Sequence, residues 1–290
     1  MQTLHTVTEA RDRVRTWQAA GERVGFVPTM GNLHEGHLEL VRHARRISDR
    51  VVASVFVNPT QFAPGEDYAT YPRTLDSDAE QLAREGADLL FAPSVDEVYP
   101  RGPSQAVTVH VPGLEEILCG AYRPGHFTGV ATVVCKLFNM LAPDQAVFGR
   151  KDFQQLQVIH RMVVDLNLSV GVVGSPTARE PDGLAMSSRN TYLEPEERRL
   201  APALYACLHA IAMALRDGAR DYQRLEGEGW QRLEAADMRP DYLSIRRRED
   251  LSEPPPDLPS EELIVLAAAH LGRARLIDNV EVADLLRNDR

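Results

Sequence analysis

The sequence predicts an α/β protein: a doubly wound parallel sheet over its first two-thirds, followed by a smaller α+β domain. Three observations carry that reading. Strand-like and helix-like stretches alternate as far as residue 173, the order that a parallel sheet with crossover helices requires. Residues 51–57 form a nearly continuous β-branched apolar run, the pattern of a strand buried on both faces. Past Pro176 the character changes to a loop rich in charge and glycine, two long helical stretches and further strands. The expected division is therefore 1–176 and 177–290.

Each element has its own signal. Residues 23–27 form a short apolar strand that ends at Pro28, and residues 37–48 carry apolar side chains at helical spacing. The run at 51–57 is the second strand. A helix is expected over 76–85, a strand over 88–91, a helix over 130–141, a strand over 146–148, a helix over 153–166 and a strand over 170–173. A loop at 179–190 then leads into helices over 196–215 and 222–236 and strands over 242–246 and 263–269, with Pro254-Pro255-Pro256 breaking the chain between those strands. No internal repeat or low-complexity tract is present.

The chain has 290 residues, enough to bury the cores of two modest domains. Its formal net charge of −10 argues against a nucleic-acid partner held by phosphate contacts. The first residues have no apolar signal core, and the longest apolar run, 263–269, is too short to span a bilayer. Cys119, Cys135 and Cys207 are isolated and odd in number, so buried free thiols in a reducing cytoplasm are expected.

Four groups of residues carry chemistry. The first is Pro28-Thr29-Met30-Gly31-Asn32-Leu33-His34-Glu35-Gly36-His37, between the first strand and its helix. That turn lies at the carboxyl end of a strand, where doubly wound sheets bind ligands, and the helix start offers N–H groups and a positive dipole end to phosphate. Gly31 and Gly36 permit close backbone approach, and His34 and His37, three apart, can donate hydrogen bonds to one phosphate chain. From the residues alone, surface histidines or a metal-ligating pair remain alternatives. The second group follows the buried strand: Asn58 and Gln61 are two-sided amides suited to a substrate with hydroxyls and a carboxylate, or simply to a solvated loop. The third is Gly149-Arg150-Lys151-Asp152. Lys151 can place a point charge on a phosphate, Asp152 can accept from a ribose, and Gln155 falls one helical turn past Lys151. The fourth is Met186-Ser187-Ser188-Arg189, whose hydroxyls, N–H groups and guanidinium can clamp a triphosphate while Gly183 gives the loop room to move.

Taken together these strings resemble the pantothenate synthetase (pantoate–β-alanine ligase) family, within the superfamily that shares the HxGH sequence with class I aminoacyl-tRNA synthetases. The resemblance rests on residues 28–37 and on Phe56-Val57-Asn58-Pro59-Thr60-Gln61-Phe62, Tyr71-Pro72-Arg73-Thr74 and Arg123-Pro124-Gly125-His126-Phe127. It continues through residues 148–155 and 179–190 to Arg275-Leu276-Ile277-Asp278-Asn279, and so covers nearly the whole chain.

The resemblance implies a Rossmann-like N-terminal domain binding ATP and pantoate and a homodimer formed through the N-terminal domain; because an acyl adenylate hydrolyses if left wet, the C-terminal domain is expected to act as a lid that carries the 186–189 loop onto ATP. The resemblance also implies condensation of (R)-pantoate with β-alanine to pantothenate, AMP and pyrophosphate through a pantoyl adenylate. The expected catalytic residues are His37, His34, Lys151 and Arg189, with His37 acting either as proton donor or electrostatically. ATP contacts fall on Met30, Gly31, His34, His37, Gly149, Lys151, Asp152, Ala178, Met186, Ser187, Ser188 and Arg189. Pantoate falls on Gln61 and Gln155, with Asn58 beside them. Asp78 and Gln81 match positions that some relatives associate with Mg2+, but Ser77 stands where a second acidic residue would be, so magnesium carried on the ATP phosphates and a solvated helix face at 78 and 81 stay open. A nucleotidyltransferase and a non-catalytic nucleotide-binding protein are the competing readings, separated from the first by amine-dependent release of AMP.

Overall fold

The computed structural model describes residues 1–62 and 68–287. It divides into two compact units, one formed by Met1–Arg150 with Gln155–Pro176, the other by Lys151–Gln154 with Thr177–Arg290.

The first unit contains β1 (Gln2–Leu4), α1 (Val7–Ala19), β2 (Val24–Thr29), α2 (Glu35–Ile47), β3 (Arg50–Val55), α3 (Leu75–Arg84) and β4 (Leu89–Phe91). Two single-turn helices follow, α4 (Val95–Val98) and α5 (Cys119–Tyr122), then α6 (His126–Leu141), β5 (Gln145–Gly149), α7 (Phe153–Asp165), which belongs to this unit from Gln155 onward, and β6 (Gly171–Ser175). Its six strands form one parallel sheet in the order β1-β4-β3-β2-β5-β6. The order reverses between β2 and β5, and the carboxyl ends of those strands flank a topological switch point.

Alternation along β2 sorts the two faces of the sheet. Val27 packs with Leu38 and Val41 of α2, Leu82 of α3, Val51, Leu90 and Val147. Phe26, on the opposite face, meets Phe138 of α6 edge-on at 6.4 Å, and Phe138 meets Phe148 of β5 at 6.3 Å. Pro28 sits within β2 although it has no N–H to give a ladder. The pairing explains this: β2 pairs with β3 as far as Thr29, but with β5 only at Gly25 and Phe26. The strands therefore part before Pro28, which opens the switch point just ahead of the β2–α2 turn.

The second unit contains α8 (Pro195–Leu200), α9 (Ala203–Arg216), α10 (Tyr222–Ala235), β7 (Arg239–Arg247), β8 (Leu263–Leu271), β9 (Ala274–Glu281) and α11 (Val282–Arg287). Its sheet is antiparallel in the order β7-β8-β9. Leu204, Leu208, Ile211 and Leu215 line one face of α9 and share a core with Leu233, Leu243, Val265 and Ala267.

The predicted class holds, and the departures have local causes. The helix expected over 196–215 is two, because Pro202 cannot donate to the turn before it. β1 is only three residues long and β9 interleaves Arg275 and Asp278 with its apolar residues, so neither shows a clear strand pattern. α6 begins at His126, four residues earlier than its apolar run. All three cysteines are free; Cys119 and Cys207 are buried, but Cys135 is only partly so.

Gly129 fixes how α6 meets the Gln61 turn. A Cβ there would lie 2.3 Å from the Thr60 carbonyl oxygen and 2.8 Å from Gln61 Cα, both main-chain atoms. Helix propensity favours Gly129→Ala by about 1 kcal/mol, while overpacking costs about 1–3 kcal/mol and the obstruction here cannot rotate away. The overpacking term wins, so Gly129→Ala is expected to lower the urea midpoint. An unchanged or raised midpoint would show that the turn yields freely.

Candidate active site

The β2–α2 turn is held by an internal acid. Gly31 has φ of +80°, and a Cβ on it would meet Asp78 Oδ2 and Val55 Cγ1, each at 2.9 Å, so glycine is required on both counts. Asn32 N donates to Asp78 Oδ2 at 3.0 Å and Leu33 N to Oδ1 at 2.9 Å. Thr74 Oγ1 adds a bond to Oδ2 at 3.1 Å. Asp78 is 1% exposed. Thr29 Oγ1 donates to Ser54 O and accepts from Gly31 N, tying the same turn to β3.

This acid changes the reading of residues 78 and 81. The Asp78 carboxylate is occupied by three donors of its own fold, and Gln81 Nε2 turns to Ser77 O and Oγ at 3.4 Å. The two side chains do not fit a magnesium site. Among the described residues, no group of three His, Cys, Asp or Glu side chains could hold a metal ion.

His34 is the N-cap of α2. Its Nδ1 accepts from Gly36 N at 3.1 Å, while His37 Nδ1 accepts from His34 N at 3.3 Å, a reciprocal capping box. Both Nδ1 atoms act as acceptors, so each neutral ring carries its proton on Nε2. The rings lie 4.1 Å apart, tilted by 43°. Two Nε2–H donors are thus presented together at the start of a helix.

Gln61 and Asn58 are both buried. Gln61 Nε2 donates to Met30 Sδ at 2.8 Å, and its Oε1 accepts from Asn58 Nδ2 at 3.1 Å. Asn58 Nδ2 also donates to Gly129 O, while its Oδ1 accepts from Thr60 N, Thr60 Oγ1 and Tyr99 OH. Every polar position of Asn58 is engaged within the fold, so its side chain shapes the Gln61 turn. Tyr99 has no part in the sequence-based reading; burial, offset in part by its hydrogen bond to Thr60, pushes its phenol pKa up, keeping it a donor. His126 Nδ1 lies 2.8 Å from Gln61 O and its Nε2 lies 3.0 Å from Arg123 Nη1. That pairing puts the His126 proton on Nδ1, and it gives the motif at 123–127 a part in holding Gln61. Gly149 closes β5, and Gln155 stands half-buried in the first turn of α7, both in this unit.

In the second unit, residues 178–186 form a small hairpin. Glu180 N bonds Leu184 O, Met186 N bonds Ala178 O, and Arg179 bridges Ala185. Arg179 grips Asp278 through both nitrogens, at 2.6 and 3.0 Å, and its guanidinium lies 3.8 Å from the centroid of the Tyr205 ring. Burial pushes the Asp278 carboxyl up, against the pull of Arg179. Ser187 Oγ caps the short turn that follows by accepting from Arg189 N, and Ser188 O accepts from Thr191 Oγ1. Lys151, largely buried, lies 3.9 Å from Asp152. Lys151, Ala185, Ser187, Asn190 and Asp278 line one concavity. The first unit thus groups Met30, Gly31, His34, His37 and Gln61, and the second groups Lys151, Asp152, Ala178, Met186, Ser187, Ser188 and Arg189.

Among the described residues no helix is long and apolar enough to cross a membrane. A pantothenate synthetase from Thioalkalivibrio sulfidiphilus is 59% identical over 97% of this chain and 98% of its own. The crystal structure of pantothenate synthetase from Thermus thermophilus superposes with a TM-score of 0.88 at 51% identity, covering 97% of this chain and 99% of that one. A pantoate-beta-alanine ligase from Francisella tularensis, solved in complex with beta-gamma ATP and beta-alanine, gives a TM-score of 0.79 at 31% identity over 98% of each chain. The family model for pantoate-beta-alanine ligase matches residues 2–281, and the chain belongs to that family.

Proposed function

We propose that the chain joins pantoate to β-alanine at the expense of ATP, giving pantothenate, AMP and pyrophosphate through a pantoyl adenylate. The observation that carries this reading is the match of residues 2–281 to the pantoate-beta-alanine ligase family, with the paired helix-capping imidazoles of His34 and His37 at the start of α2 as the donors that its phosphate chemistry needs. The Francisella tularensis relative, solved with beta-gamma ATP and beta-alanine, supports two of the three substrates.

The chemistry follows from the poor leaving group of a carboxylate. Attack of the pantoate carboxylate on the α-phosphate expels pyrophosphate, and attack of the amine on the mixed anhydride expels AMP. Negative charge passes onto the pyrophosphate in the first step. His34 and His37 meet that charge with fixed neutral donors, which need no reorganisation as the bond breaks. Lys151, Arg189 and the hydroxyls of Ser187 and Ser188 add positive and hydrogen-bonding contacts to the phosphates. Met30, Gly31, Gly149, Asp152, Ala178 and Met186 complete the nucleotide contacts. Gln61 and Gln155 hold pantoate, Gln61 set in place by Asn58 and His126. Magnesium is assigned to the phosphates of the nucleotide, since Asp78 is spent on the β2–α2 turn. No step requires a cysteine.

AMP release is expected only when pantoate and β-alanine are both present, and hydroxylamine is expected to trap a hydroxamate from pantoate and ATP alone. A nucleotidyl group retained in the product would overturn the ligase reading in favour of a nucleotidyltransferase. Asp78 has its own test. Asp78→Asn sets an amide N–H against a main-chain N–H, and loosening a catalytic turn by about 1 Å costs about 100-fold. A fall of about 10- to 100-fold in kcat/KM for ATP is expected, with an unchanged magnesium concentration at half-maximal rate. A strong rise in the magnesium requirement would instead make Asp78 a metal ligand.

A further inference from the structure

The string Arg275-Leu276-Ile277-Asp278-Asn279 has no part in the chemistry above, yet it contains two polar side chains, Asp278 and Asn279, that are 4% and 5% exposed. Both lie on β9, opposite Ala267 and Leu266 of β8. Burying adjacent polar groups in a strand is costly unless each is hydrogen-bonded. Their partners are specific. Asn279 Nδ2 donates to the main-chain carbonyl of Lys151 at 2.9 Å. Asp278 takes both arms of Arg179, and Arg179 Nη2 also reaches Asn279 O at 3.3 Å. Asp278 Oδ1 accepts from Asn279 N at 2.8 Å, which links the two residues into one network. Arg179 in turn donates to Gly183 O at 3.1 Å, inside the hairpin that runs into Ser187.

The position of Lys151 makes this network consequential. Residues Lys151–Gln154 belong to the second unit, although the chain on either side of them, through Arg150 and from Gln155, belongs to the first. The bond from Asn279 ties that four-residue segment by its main chain to β9. The Lys151 ammonium also adds to the attraction felt by the Asp278 carboxylate.

Building on the proposed ATP reading, we propose that Asn279 and Asp278 are positioning residues for phosphate binding. Asn279 sets the main chain of Lys151, and Asp278 sets Arg179 at the root of the hairpin that carries Ser187, Ser188 and Arg189. Lys151 and that loop then meet the triphosphate as one preset constellation. A hydrogen bond to a main-chain carbonyl suits this task, because it fixes where the lysine starts while leaving its ammonium for the ligand.

A double-mutant cycle on the full-length protein tests the proposal, using Asn279→Ala, Lys151→Met and their combination. The readouts are kcat/KM for ATP in pantoate-dependent pyrophosphate release, KM for β-alanine, and the thermal midpoint. Asn279→Ala is expected to lower kcat/KM for ATP about tenfold or more, to leave KM for β-alanine within about twofold, and to add nothing once Lys151 is methionine. If Asn279→Ala melts below the assay temperature, Asn279→Ser, too short to reach the carbonyl, takes its place in the same cycle. Effects that multiply across the cycle, a parallel rise in KM for β-alanine, or no effect of Asn279→Ala would overturn the positioning role while leaving the function of Lys151 intact. Full activity of Lys151→Met would overturn the ATP reading of Lys151 itself, and the positioning role with it.

Discussion

Burying a carboxylate costs several kcal/mol unless donors take its lone pairs, and Asp78 meets that demand with the main chain of the β2–α2 turn. Two of its three donors are the consecutive N–H groups of Asn32 and Leu33, immediately before the His34 cap. The turn needs the acid as much as the acid needs the turn. Gly31 has positive φ and no room for a side chain, and Asn32 is also left-handed at +50°. A turn of that shape leaves successive N–H groups pointing to one side, and the two oxygens of a carboxylate engage one each. The geometry of His34 and His37 is therefore set by a residue 41 to 44 positions later in the chain, through α3.

The switch point supplies the other half of the frame. β2 parts from β5 after Phe26, and Pro28 removes the N–H that would have continued the ladder. Around that opening the side chains facing inward are themselves constrained. Gln61 is held by Asn58, by Met30 and, through its carbonyl, by His126. Gly129 lets α6 come close enough to receive Asn58 at its carbonyl. One amide with adjustable hydrogen bonds is thus backed by another that has none to spare, an arrangement that favours a single rotamer over an ensemble.

Much of this is legible in the sequence. The parallel class follows from the alternation of elements and from the apolar run at 51–57, because burial on both faces writes itself into composition. The histidine pair is legible because its spacing and its place after a strand are local facts. Asn58 reads as a ligand contact and Asp78 as a metal neighbour because residue type gives the chemistry available but not the partners. Those partners, Gly129 and Tyr99 for Asn58 and the 32–33 amides for Asp78, lie tens of residues away. Tyr99 has no local signal at all. β9 escapes a sequence reading because its charges, Arg275 and Asp278, face partners in the fold and so interrupt the apolar pattern that marks a strand.

The two units solve the same problem with opposite electrostatics. In the first, Asp78 accepts from uncharged N–H groups, and the residues it steadies, His34 and His37, are neutral donors because their own Nδ1 atoms serve the backbone. In the second, Asp278 pairs with the guanidinium of Arg179, and the Lys151 ammonium adds to the attraction it feels. The Arg179–Asp278 pair draws on an acid that is 4% exposed, where screening by salt is weak. Two main-chain amides and one hydroxyl satisfy Asp78 without a counter-charge, whereas Asp278, on a strand of the second unit, takes its donors chiefly from a guanidinium.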